Sequence, residues 1–112
     1  MKYLKIEWLH TFDDEPRVIY SEIDAEGYET RKVETFADSS FCFASEDESS
    51  GDTLLSELPV PDLDALESDE EFVPQEIDKL EFERVWALAR GEQKAPTLLG
   101  RIIKYIQNFF NK

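Results

Sequence analysis

Cysteine, histidine and glycine are scarce in this chain, and over one long stretch so is positive charge. Cys42 is its only cysteine, which excludes an internal disulfide and a cysteine-based zinc site. It stands between Phe41 and Phe43 in an apolar run and reads as a small core side chain. His10 is the only histidine, on a different expected strand, and no motif joins it to Cys42 as a nucleophile–base pair. The four glycines, at 27, 51, 91 and 100, form no phosphate-cradling array. No segment approaches the ~18 apolar residues of a membrane-spanning helix. Behind Met1-Lys2-Tyr3-Leu4-Lys5 the residues alternate in polarity, which is not the apolar core of a signal peptide. A reducing cytoplasm is the expected setting.

Between Ser45 and Glu76 there is no Lys or Arg, but there are twelve carboxylates: Glu46, Asp47, Glu48, Asp52, Glu57, Asp62, Asp64, Glu67, Asp69, Glu70, Glu71 and Glu76. Carboxylates at this density repel one another and disfavour the compact state. Their counter-charge is therefore expected outside the chain, on a basic protein. The 112 residues carry a net charge of −14, which repels phosphate backbones and anionic lipid and argues against direct nucleic-acid binding. With 41% hydrophobic and 12% aromatic residues, the chain is too apolar for a disordered acidic tail and fits one domain with a modest core.

Three parts follow from the pattern. In residues 2–44, Leu4, Ile6, Trp8, His10 and Phe12 alternate with Lys5, Glu7 and Thr11, the mark of a half-buried strand. Asp13-Asp14-Glu15-Pro16, Glu26-Gly27 and Asp38-Ser39-Ser40 carry turn chemistry. They divide the stretch into an antiparallel meander of about four strands, near 2–12, 17–24, 28–36 and 41–44. Residues 45–77 read as an acidic loop or arm, pinned by Leu54, Leu55, Leu58, Phe72 and Val73, with a helical turn at Asp62–Glu67 whose Leu63 and Leu66 point inward. In residues 78–90, Asp78 and Glu81 form a capping-box pair. Phe82, Val85, Trp86 and Ala89 follow at helical spacing, and Arg90-Gly91 is a helix stop. Residues 93–112 are expected to form a basic amphipathic helix bearing Leu98, Leu99, Ile102, Ile103, Ile106, Phe109 and Phe110. They hold four cations and no acid, so residues 1–92 carry −18. This last helix docks on the body, mediates dimerisation or lies on a membrane surface, in that order of preference.

The elements MKYLKIEWLH at 1–10, Asp14-Glu15-Pro16, Tyr20-Ser21-Glu22, ETRKVE at 29–34, LPVP at 58–61, Glu71-Phe72 and FERVW at 82–86 resemble a family of short bacterial proteins. That family is classed only as a domain of unknown function. The resemblance spans about residues 1–90 and implies a compact bacterial domain without handing over catalytic residues; residues 91–112 go beyond its pattern. In kind rather than in motif, a small acidic α+β protein is similar to the immunity proteins of toxin–immunity systems, which implies a cationic toxin, such as a nuclease, as partner.

The same residues hold the candidate sites. The partner-binding surface is expected at Glu46, Asp47, Glu48, Asp52, Glu57, Asp62, Asp64 and Glu67, where charge sets on-rate and specificity and a few buried anchors set affinity. Trp8, Tyr28 or Phe36 would be such an anchor if exposed. Asp62 to Glu67 lacks the glycine and spacing of a calcium loop, no two carboxylates are singled out for glycoside chemistry, and His10 reads as a hydrogen-bonded strand-end histidine. The expectation is an α+β fold, an antiparallel sheet of about four strands with two C-terminal helices packed on it. It is a non-enzymatic inhibitor of a basic protein with no cofactor and no metal, monomeric or homodimeric. The alternative is a structural or regulatory module that dimerises through its C-terminal helix. A third and weaker option is a small enzyme using His10 and nearby acids.

Overall fold

A computed structural model describes residues 1–91. The expected basic helix in residues 93–112 lies outside the described residues. The alternating segments form β1 (Lys2–Trp8), β2 (Val18–Ile23), β3 (Glu29–Thr35) and β4 (Phe41–Ser45). Next come a short helix α1 (Leu63–Glu67), a further strand β5 (Phe72–Ile77) and the helix α2 (Lys79–Arg90). The fold is α+β, and every strand pairing is antiparallel in the order β4-β3-β2-β1-β5.

One expectation is corrected here. The sheet has five strands rather than about four, because Phe72–Ile77, read as part of the arm, pairs along the whole of β1 from Tyr3↔Ile77 to Trp8↔Phe72. Of the two C-terminal helices expected on the sheet, the first is α2 and the second lies outside the described residues; α1 is the helical turn expected at Asp62–Glu67. Pro74 stands inside this fifth strand although proline cannot donate to a ladder. Its place explains the tolerance. Leu9 N–H donates to the Glu71 carbonyl, which sets the alternation of the pair. The backbone of residues 73, 75 and 77 then faces β1, and that of Phe72, Pro74 and Glu76 faces outward. Proline at an outward position of an edge strand loses no ladder bond.

The sheet is covered on both faces. Tyr3, Val33 and Ile77 on one face meet Phe82 and Trp86 of α2, with Tyr20, Phe41, Phe43, Val85 and Ala89 around them. Asp78 caps this helix by accepting the Glu81 N–H at 2.8 Å, and Gly91 ends it in the left-handed conformation at φ 73°. Its apolar spacing, 82, 86 and 89, aims one stripe at the sheet. On the other face Leu4, Ile6 and Ile23 meet Ile19, Val60, Leu63, Leu66 and Phe72. Burying each such aliphatic side chain stabilises the fold by roughly 1.5–3 kcal/mol.

Across the first face runs a charged network. Arg31 on β3 donates through Nε and Nη2 to Glu22 on β2 at 2.8 and 2.7 Å, and through Nη1 and Nη2 to Glu83 on α2 at 3.0 and 2.7 Å. Glu22 is buried and also accepts from Tyr3 Oη and Thr30 Oγ1. The guanidinium carbon lies 4.9 Å from the Phe82 ring centre and 5.0 Å from that of Trp86. Hydrogen bonds from Arg31, against the opposing effect of burial, hold the Glu22 carboxyl down at about 2. Arg31 likewise lowers Glu83, and the Arg31 guanidinium is itself raised, chiefly by Glu22. Burial, and then the hydrogen bond to Glu22, raises the Tyr3 phenol.

Candidate functional site

The acidic segment is the cover of the second face. It starts at the β4 edge, where Ser45 N–H donates to the Glu48 carbonyl, Ser50 N–H to the Phe43 carbonyl, and Phe43 N–H to Ser50 Oγ. Gly51, at φ +59°, sits where an added Cβ would lie 2.7 Å from Cys42 Sγ, so the chain passes close over the sheet. Cys42 is half-buried beneath it. From there residues 52–62 run as a strap over β3 toward the β2–β3 turn, and α1 then packs beside β1 and β5.

Polar groups on the sheet hold the strap. Glu34 accepts from Thr53 Oγ1 at 2.7 Å, Lys32 Nζ donates to the Leu54 carbonyl at 3.0 Å, and the Gly27 carbonyl accepts from Val60 N–H at 2.8 Å. Glu29 is the central peg. Its buried carboxylate accepts from Ser56 N–H and from Ser21 Oγ, both at 2.7 Å, and pairs with Lys32 at 3.1 Å. Two of the leucines expected to pin the arm point away instead: Leu54 is 72% and Leu58 73% exposed, and Val73 is also exposed. Thr53, Val60, Leu63 and Leu66 take the inward places. Because Glu29 satisfies two donors that have no other partner among the described residues, Glu29→Ala is expected to cost about 2 kcal/mol. Limited proteolysis should then cut preferentially within residues 53–60; an unchanged cleavage pattern would mean that the strap does not depend on this peg.

The eight expected partner-binding acids are all exposed, but they do not form one patch. Glu46, Asp47, Glu48 and Asp52 lie at the β4 edge, Glu57 lies on the strap, and Asp62, Asp64 and Glu67 lie on and before α1, beside β5. The two ends are separated by the width of a five-stranded sheet, about 19 Å. Two of the eight have work inside the molecule. Glu48 pairs with Arg90 at the end of α2, and Asp62 caps α1 by accepting the Ala65 N–H at 2.9 Å. The other six face solvent, and among the described residues none of them forms an ion pair. The outer surface of the strap thus combines unpaired carboxylates with two protruding leucines. Of the three proposed aromatic anchors, Tyr28 is exposed, while Trp8 and Phe36 are half-buried.

His10 is engaged on both ring nitrogens. Nε2 lies 2.7 Å from the Pro16 carbonyl, and Nδ1 accepts the Phe12 N–H at 3.0 Å. These partners fix the Nε2–H tautomer and tie the loop between β1 and β2 to itself. Trp8 Nε1 donates to Glu71 at 3.1 Å. Among the described residues no group of three His, Cys, Asp or Glu side chains converges as a metal site, and no helix is long and apolar enough to cross a membrane. The sequence reading missed the polar pegs Glu29, Glu34 and Lys32. Their only sequence signal is an alternation of charge along β3 that is equally the pattern of a solvated face.

No curated protein and no solved structure matches the chain. The family described as Domain of unknown function (DUF6881) matches residues 2–91, which is the whole of the sheet, the strap and α2, and the chain belongs to that family.

Proposed function

We propose that this chain is a non-enzymatic binding protein that inhibits a cationic protein, in the manner of a bacterial immunity protein neutralising a nuclease toxin. The observation that carries the reading is the outer surface of the strap, where Asp52 and Glu57 flank exposed Leu54 and Leu58. Affinity at protein interfaces comes mostly from a few apolar anchors that become buried, while the surrounding charges steer encounter and exclude wrong partners. Leucines presented among unpaired carboxylates supply both parts for a partner with a basic rim around an apolar pocket. The sheet edges favour no rival mode by strand addition. At the β4 edge the outward groups of Phe43 and Ser45 are taken by residues 48–50, and at the β5 edge Pro74 brings no N–H. His10, with both nitrogens tied to the loop backbone, argues against acid–base chemistry.

The test is capture of partners from a bacterial lysate on the intact chain at low and at high salt, followed by assay of the captured protein. The expected result is a basic protein that is released as salt rises and whose activity is lost on stoichiometric addition of this chain. A double Leu54→Ala, Leu58→Ala variant should bind it at least tenfold more weakly. Binding that ignores ionic strength, or a partner whose activity the chain leaves intact, would overturn the proposal. Recovery of the bait alone would favour the second reading, self-association through the apolar stripe that the sequence places in residues 98–110. Comparing the solution mass of the full chain with that of one ending at Gly91 decides that reading.

A further inference from the structure

At the open end of the sheet, on the face that carries the strap, four rings stand in a row. Phe72 and Trp8 have centres 6.2 Å apart, Trp8 and His10 4.4 Å, and His10 and Phe12 5.4 Å, the last pair stacked at 28°. Each inner ring is fixed. Trp8 is held by Glu71, and His10 by Pro16 and the Phe12 backbone. The outer ring, Phe12, is 58% exposed. A cleft of about 250 Å³ lies against it, lined by Trp8, Phe12, Asp14 and Glu15. Among the described residues neither of these carboxylates forms an ion pair. Arg17, the nearest cation in sequence, lines a neighbouring cleft with Glu7, Leu9 and Val18 instead.

Two rings with two carboxylates is a composition this protein already uses once. In its interior Arg31 lies about 5 Å from the centres of Phe82 and Trp86, with Glu22 and Glu83 receiving its N–H groups. The surface cleft repeats those groups and, among the described residues, has no guanidinium of its own. We infer that the cleft at Trp8, Phe12, Asp14 and Glu15 receives an arginine side chain of the cationic partner. A planar guanidinium stacks on the exposed face of Phe12 and extends the His10–Phe12 stack, whereas the compact, strongly hydrated ammonium of lysine does not. The ring face adds attraction for a cation, and the rim carboxylates supply the charge-assisted hydrogen bonds. Because both inner rings are locked beforehand, little ordering is lost on binding. The inference rests on the proposed cationic partner but places an anchor apart from the strap leucines.

A probe that needs no partner tests it. N-acetyl-arginine amide is titrated into the full chain while the indole N–H resonances of Trp8 and Trp86, the two tryptophans, are followed by NMR. The Trp8 signal should move saturably and that of buried Trp86 should stay. The lysine analogue should bind at least several-fold more weakly, and the neutral citrulline analogue should leave Trp8 unmoved. Phe12→Ala and the pair Asp14→Asn, Glu15→Gln should each weaken arginine binding at least tenfold, with an unmoved Trp86 resonance reporting an intact core. Glu46→Gln with Asp47→Asn, at the far edge of the sheet, should leave binding unchanged. An unmoved Trp8 signal, equal response to lysine and arginine, or equal loss from the far-edge pair would overturn the inference. If Trp8 stays unmoved while a salt-sensitive basic partner is still captured, the cleft fails and the proposed function stands. Response to arginine without any such partner has the opposite meaning.

Discussion

Replacing Arg31 with leucine is expected to lower the unfolding free energy by about 3–5 kcal/mol, a large share of the 5–15 kcal/mol typical of whole domains. The cause is the charge left behind. Glu22 is buried beneath α2 and would keep only the hydroxyls of Tyr3 and Thr30, which do not compensate a desolvated carboxylate. Glu83 is more open to solvent at the other end of the network, so Glu83→Gln should cost under about 1 kcal/mol. The effect depends on pH in a definite direction. The Glu22 carboxyl is held at about 2 against an ordinary 4.5. Its contribution is therefore complete above pH 4.5 and lost as pH falls toward 2. Urea unfolding of the parent and of Arg31→Leu should differ most at neutral pH and converge as pH falls, beginning above pH 4.5, where the unpaired buried Glu22 of the variant takes up its proton, and ending near pH 2. A constant difference across that range would mean that Glu22 is not the group left unpaired.

Phe82→Ala is the second large loss, again about 3–5 kcal/mol, from deletion of a fully buried ring and the cavity it leaves. Phe82 has no exposed surface; its ring centre lies 5.3 Å from that of Tyr3 and 6.3 Å from that of Trp86. It is also one of the two rings that flank Arg31, so the two substitutions are coupled. In a double-mutant cycle Arg31→Leu with Phe82→Ala should fall short of the sum of the singles by at least about 0.5 kcal/mol. Strict additivity would separate the ring from the guanidinium energetically, whatever their distance. Phe82→Leu, which keeps most of the apolar volume, should recover more than half of the loss.

The parts of this fold that were legible in the sequence are those whose cause is local. Alternation over Leu4, Ile6 and Trp8 announces β1, the turns at Pro16, Gly27 and Ser39 divide the meander, and Asp62 and Asp78 mark helix starts that the structure places one residue later. What was hidden depends on partners far along the chain. Nothing in Phe72-Val73-Pro74-Gln75-Glu76-Ile77 reads as a strand until β1 is beside it and Pro74 is seen to face outward. Leu54 and Leu58 read as anchors in sequence because apolar side chains usually are. The strap is held instead by Glu29, Glu34 and Lys32, charged residues whose inward role needs Ser56, Thr53 and the Leu54 carbonyl to meet them. The network of Glu22, Arg31 and Glu83 joins two strands and a helix, and no window of sequence contains it. For the candidate surface, acidity was legible but its distribution was not. One continuous acidic segment becomes two acidic edges joined by a strap.

The acidic segment from Glu46 to Glu67 joins two protections. Its turn at residues 48–50 closes the open edge of β4, and its Val60, Leu63 and Leu66 cover Leu4, Ile6 and Ile23. Peeling it back would bare an unpaired strand and an apolar sheet face in a single event. Such a species is a template for intermolecular strand pairing and for aggregation. Each carboxylate along the strap then acts as a gatekeeper in the opened form, since a peeled molecule meets another with like charge on both sides. The self-repulsion that weakens the closed state would keep opened molecules apart, so the tendency to precipitate should rise as the carboxylates are neutralised even where the fold persists.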